Sequence, residues 1–361
     1  MELFSLWILL IATIALTSIS LRKEKVVLAD NTTYYKSIIN PLWIGVTILL
    51  LAFYTSNTIA NDVYVYRENY SLIPTTVTWK SLFEKGIGSN PLFGFIQVLF
   101  IRYISSDPAT FHFFEGLVVQ TCLVLFYRRY SPSLSMSLFM TITSGLFYFT
   151  MVSWKQSIAM GVGLIGITLI QQRRYILYYA LLALMMLIHP YIIMYATLPL
   201  LINNRVWTTR NILILITMCI AGYFLSEILG AMLEVTETVF GDSHDANWFS
   251  NEHGVSWQRI LFFAITPVLS VSYRKQINAK STPLMNGFIQ MAVISFGFMF
   301  MAMYGGANFI SRMATYFEPF TYVALPYILM YIIPKPKRAV IKWGILTLFL
   351  VFFCFLQLKM R

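Results

Sequence analysis

Long apolar runs, broken by short polar stretches, set the pattern of this chain from end to end. They fall at 1–21, 38–56, 109–127, 132–151, 155–171, 175–189, 190–202, 211–229, 259–274, 283–303, 317–333 and 340–357. Most approach the ~20 residues that an α-helix needs to cross a bilayer. About twelve membrane-spanning helices are therefore predicted, in a single polytopic domain over 1–361. The apolar first segment has no basic leader or cleavage pattern and is read as a retained span. Strict alternation over about ten residues, the mark of a membrane β-barrel strand, is missing, so the predicted class is all-α. One run stands apart. The stretch 91–104 is interrupted by Pro91, Gly94 and Arg102. Counting it as a span would put Arg128-Arg129 outside and invert every later loop, so an interfacial or re-entrant helix is expected there.

Charge supports this arrangement. The segments 22–37, 128–131, 172–174, 203–210, 274–282 and 334–342 hold 17 of the 26 Lys and Arg but 2 of the 15 Asp and Glu. That asymmetry places them in the cytoplasm by the positive-inside rule. It also accounts for the net charge of +11 without nucleic acid as a partner. Two longer segments, 57–108 and 230–258, then face the outside, the second rich in acidic residues. The cysteines Cys122, Cys219 and Cys354 lie inside apolar runs with no ligand spacing and are read as structural. No Walker A sequence or Rossmann glycine pattern appears, so any energy source must reside in the substrate. No cofactor is expected.

Polar residues within or beside the runs are the candidates for chemistry. Lys155 opens one span and His189 closes the next, with Arg173-Arg174 at the turn between them. A hairpin of two spans brings both ends to the same face, giving half of an active site at the outer surface. Lys155 either snorkels to the interface or binds phosphate with the help of a helix N-terminus. His189 is either structural or a general base, because imidazole titrates near neutral pH. Arg312 is either an interfacial anchor or a bidentate phosphate ligand. The stretch Asn61–Tyr70 packs Asp62, Tyr64, Tyr66 and Arg67 into a polar surface suited to a hydroxyl-rich ligand, or is a solvated loop with an interfacial tyrosine belt. His244 and His253, with Asp242 and Asp245, suggest a solvated loop more than a metal site, since no ligand spacing is diagnostic. No metal is expected.

In this order the residues resemble the EpsG-like, Wzy-type polymerases of bacterial exopolysaccharide, capsule and O-antigen. Asp62-Val63-Tyr64-Val65-Tyr66 resembles a D-x-x-x-Y loop. Phe83-Glu84-Lys85-Gly86 resembles F-E-x-G-Y, with Ile87 in the tyrosine position. Lys155-Gln156-Ser157-Ile158-Ala159 resembles R-Q-x-I-A, with lysine keeping the charge but not the fork of arginine. His189 resembles the histidine that ends a span, and Arg312-Met313-Ala314-Thr315-Tyr316-Phe317 resembles R-x-x-x-Y-F.

The resemblance implies a GT-C-like fold and an enzyme of the bacterial cytoplasmic membrane with its site on the outer face. Such an enzyme transfers a growing glycan from undecaprenyl pyrophosphate onto the next lipid-linked repeat unit. On that reading His189 or Asp62 serves as base, and Arg312, Lys155 and Arg67 bind pyrophosphate. Tyr64, Tyr66, Glu84, Gln156 and Tyr316 contact glycan. A chain-length regulator and a flippase are the expected partners. The alternatives are a lipid-linked oligosaccharide flippase or transporter, or another polyprenyl-phosphate enzyme such as an O-antigen ligase. Repeat-unit sugars, linkage and stereochemistry are not legible in the sequence.

Overall fold

The computed structural model describes residues 3–57, 62–74, 90–203, 205–224, 254–305 and 307–359. The chain is dominated by helices and divides into two compact units. The first comprises 1–26, 34–197 and 339–361, and the second 27–33 and 198–338.

Helix α1 (Leu3–Ser18), in the first unit, is followed by the strands β1 (Ser20–Val27) and β2 (Thr33–Ile39), which pair as a two-stranded sheet whose tip, 27–33, is counted with the second unit. This departs from the expected all-α fold, which read 22–37 as a simple loop. Its cause is local. Along Thr33–Ile39 exposed and half-buried positions alternate, the period of a strand. Asn31 takes a φ of 62° at the turn, and the Asp30 carboxylate accepts from the Thr32 amide at 3.0 Å.

Next come α2 (Pro41–Ser56), α3 (Asp62–Ser71), α4 (Pro91–Tyr103) and α5 (Pro108–Tyr130). Asp107 caps α5 by accepting from the amides of Ala109 and Thr110 at 3.2 and 2.9 Å. At Gly116 α5 meets α2 closely, since a Cβ there would lie 2.9 Å from Thr55.

The run expected as a single span over 132–151 is two helices, α6 (Leu134–Thr143) and α7 (Leu146–Val152), bent by 66°. Gly145 sits at the bend with a φ of 93°, in the left-handed region that favours glycine. Hydroxyls turn back onto the backbone around the break: Thr141 and Thr143 donate to the carbonyls four residues earlier, at 2.8 and 2.7 Å.

The expected hairpin is α8 (Trp154–Gln171) and α9 (Tyr175–Met186). Arg173 turns between them with a φ of 58°. The two helices close on each other at Gly166, which lies against Leu181. Helix α9 ends three residues before His189, and Pro190–Thr197 continues as a 3-10 helix rather than as the start of a further α-helical span. Proline lacks the amide that would carry the α-helix through.

The second unit contains α10 (Leu198–Leu201), α11 (Thr209–Tyr223), α12 (Trp257–Ser272), α13 (Arg274–Lys280), α14 (Pro283–Met301) and α15 (Ala307–Tyr327). A π-helical turn, Ile328–Ile332, follows α15. Helices α14 and α15 form its antiparallel centre, where Phe298 stacks on Phe317 and the Ser295 hydroxyl donates to the Ala314 carbonyl at 2.9 Å. The last helix, α16 (Lys335–Lys359), starts in the second unit and ends in the first.

Among the described residues, three helices are long and apolar enough to cross a membrane: Pro108–Tyr130, Pro283–Met301 and Lys335–Leu358. The bent pair α6–α7 makes a fourth if it is one broken span. Shorter apolar helices include α2, α9, α11 and α12. The protein is a membrane protein.

Candidate functional site

In the first unit, polar and aromatic groups converge where α3 and the ends of α2 and α7 meet the start of α5. Helix α3 turns Val63 and Tyr70 inward and leaves Tyr64 and Val65 exposed. Its spacing places Arg67 on the inner side as well. One Arg67 nitrogen, Nη2, donates to the Ser56 carbonyl at 2.5 Å and to His112 Nδ1 at 3.2 Å. Burial pulls the Arg67 guanidinium below its ordinary range, and the Asp107 carboxylate opposes that shift. Tyr70 donates to the Ser105 carbonyl at 2.8 Å and ties α3 to the turn before α5.

His112 is fully buried on α5. Its Nε2 lies 3.2 Å from the Met151 carbonyl. That carbonyl is near the end of α7, where helical partners run out. A guanidinium can only donate, so Nδ1 accepts and Nε2 carries the proton given to Met151. Both ring nitrogens are thereby engaged. One turn along, Glu115 is also fully buried, 3.7 Å from Nε2, and neither carboxylate oxygen has a hydrogen-bond partner among the described residues.

Trp154 packs against His112. The indole is fully buried, with its ring centre 4.5 Å from that of His112 and stacked at 5.1 Å on Tyr66. Lys155 follows at the start of α8, with Nζ 5.9 Å from the Tyr66 ring centre and 5.5 Å from that of Phe93. These are cation–π distances. Ser153 makes no side-chain capping bond at this helix start. Helix α4 joins the group at its own first turn, because the Leu92 amide donates to the Leu187 carbonyl at 3.0 Å. The start of α4 thus touches both ends of the α8–α9 hairpin: Phe93 lies under Lys155, and Leu92 holds the chain two residues before His189. His189 itself is half-buried, with its ring against Tyr191 at 5.0 Å.

Of the residues singled out by sequence, Tyr66, Arg67 and Lys155 gather here, and Gln156, next in sequence to Lys155, is buried. Asp62 opens α3, but its side chain lies outside the described residues, as do Glu84 and the 225–253 part of the acidic segment with His244 and His253. Arg312 and Tyr316 are on α15 in the second unit, Arg312 half-buried and Tyr316 fully buried. Sequence reasoning missed His112 and Glu115 as a pair. The signal was available: two ionisable residues one helical turn apart inside an apolar run, where such groups are expensive.

No curated protein and no solved structure matches the chain. A model of the EpsG family matches residues 40–360, which takes in every helix from α2 onward that builds this site. With that match over most of its length, the chain belongs to the EpsG family.

Proposed function

We propose that this protein joins undecaprenyl-pyrophosphate-linked oligosaccharide repeat units into a polysaccharide at the outer face of the bacterial cytoplasmic membrane. Family membership supports a polysaccharide polymerase-type activity in general. The finer reading is carried by one grouping: Lys155 at the uncapped start of α8, set over the rings of Tyr66 and Phe93, with α4 linking it to the chain beside His189. On this reading the shorter apolar helices also cross the membrane, to about twelve spans.

The chemistry needs an anion site, a sugar surface and a base. Lys155 and the positive end of a helix dipole attract phosphate oxygens. Aromatic faces suit pyranose rings. The acceptor hydroxyl attacks the donor's anomeric carbon as its proton passes to the base. The bond from that carbon to the pyrophosphate oxygen breaks, and pyrophosphate leaves on its lipid. A cation that stabilises the departing charge serves this step better than a proton donor. His112 is unsuited to be the base, because both its nitrogens are engaged. His189 takes that role, with Asp62 as the alternative. Arg312 is proposed to bind pyrophosphate through its guanidinium fork. Arg67 acts mainly by positioning α3.

Comparing surface glycans with and without the gene tests this. Loss of a polymerase leaves single repeat units, loss of a ligase leaves free polymer, and loss of a flippase leaves no surface glycan. Only the first outcome agrees with the proposal.

A further inference from the structure

A cavity lies at the opposite end of α8 from Lys155, between the last turns of α5 and α8, with a volume of about 370 Å³. Leu125, Phe126, Leu164 and Ile165 form its apolar wall. Arg128, Arg129, Tyr130 and Thr168 form its polar rim. The rim is organised. Arg129 Nη2 and the Tyr130 hydroxyl both donate to Gln171 Oε1, at 3.0 and 2.9 Å. The Arg129 guanidinium also sits 5.6 Å from the centre of the Tyr130 ring. Both arginine side chains remain exposed.

The C-terminus of a helix ordinarily repels anions, because its last carbonyls lack partners and carry partial negative charge. Here Lys36 removes that obstacle. Its Nζ donates to the carbonyls of Arg128 and Arg129 at 2.8 and 3.4 Å. The end of α5 therefore presents two guanidiniums over neutralised carbonyls, directly above an apolar slot.

We infer that this cavity holds an anionic phospholipid, with its phosphodiester on Arg128 and Arg129 and an acyl chain along Leu125, Leu164 and Ile165. Two features select this occupant. Paired guanidiniums match phosphate oxygens, and the volume falls in the range of small-molecule sites, with an apolar wall that a free phosphate would leave unused. Basic pockets between membrane helices are the recurrent form of anionic headgroup sites.

The full chain, purified in detergent and stripped of lipid, is titrated with dioleoylphosphatidylglycerol or dioleoylphosphatidylcholine, and bound lipid is read by native mass spectrometry. The wild type should prefer phosphatidylglycerol by roughly tenfold or more, given two arginines at the headgroup. The double variant Arg128→Gln/Arg129→Gln should lose the preference. Ile165→Trp fills the slot without touching the charges and should weaken phosphatidylglycerol binding; it carries the test if the double variant does not fold. Excess glycerol phosphate should not displace the lipid. Equal binding of the two lipids by the wild type, wild-type behaviour in a folded variant, or displacement by glycerol phosphate would each overturn the proposal.

Discussion

Arg67 Nη2 and His112 Nδ1 lie 3.2 Å apart, and this contact fixes the proton on the far side of the imidazole, toward Met151. Helix α3 is thereby joined through one buried ring to the end of the bent helix pair α6–α7. The same guanidinium nitrogen holds the Ser56 carbonyl at the end of α2. Three helix ends thus depend on a single side chain.

Arg67→Met should therefore cost stability. It keeps much of the stem but leaves Ser56 and His112 without their donor, and each lost bond of this kind costs roughly 1–3 kcal/mol. The melting temperature of the detergent-solubilised protein should fall. An unchanged melting temperature with abolished activity would instead place Arg67 on the substrate.

Lys155 should behave differently. Lys155→Gln should leave the protein folded and reduce polymer formation by roughly 10²-fold or more, the usual loss when a group stabilising developing charge is removed. Lys155→Arg should remain active, because charge over the Tyr66 and Phe93 rings is retained. The readout is the glycan ladder of cells carrying each variant, normalised to folded protein. A normal ladder from Lys155→Gln would reduce Lys155 to an interfacial anchor.

How far the sequence revealed these features follows from the range of the interactions. The α8–α9 hairpin was legible, since two apolar runs around Arg173-Arg174 leave little choice. The helix over 91–103 was legible as well, from its apolar stretch and broken ends. The β1–β2 hairpin was hidden by the charges of Arg22–Lys25, which read as a cytoplasmic loop and mask a short alternating pattern. The bend at Gly145 was masked by an otherwise continuous apolar run. The hydrogen-bond partners of His112 were not readable, because they come from α3 and α7, far apart in sequence. Only the buried Glu115 one turn away marked the place.

Arg312 tests the part of the account that rests on the second unit. Arg312→Ala should abolish polymer, and Arg312→Lys should restore little, since an ammonium cannot reproduce the bidentate fork. The measurement is glycan length by gel at matched protein levels. Normal polymer from Arg312→Ala would remove it from pyrophosphate binding.

Lys36 yields a pH prediction. Burial lowers its amine to about 8, with the Glu24 carboxylate opposing and Arg128 reinforcing the shift. The unfolded chain holds this proton up to its ordinary value of 10.5, so between these values it binds more protons than the folded chain. Stability contributed by this group should therefore rise as pH increases through that window. Lys36→Arg, which does not titrate there, should lack the rise. Melting curves of both proteins at pH 7.5, 8.5 and 9.5 decide it: a constant difference between them would contradict the buried-amine account.

The most direct measurement of the central claim is polymerisation of purified undecaprenyl-pyrophosphate-linked repeat units by the purified protein in proteoliposomes. The account predicts a ladder growing by one repeat unit per step, with release of the pyrophosphate carrier. His189→Gln, which preserves size and hydrogen bonding but cannot take the proton, should slow the ladder by roughly 10²–10⁴-fold while substrate remains bound. Repeat units that emerge unextended, whether moved across the bilayer or transferred singly to another lipid, would contradict it.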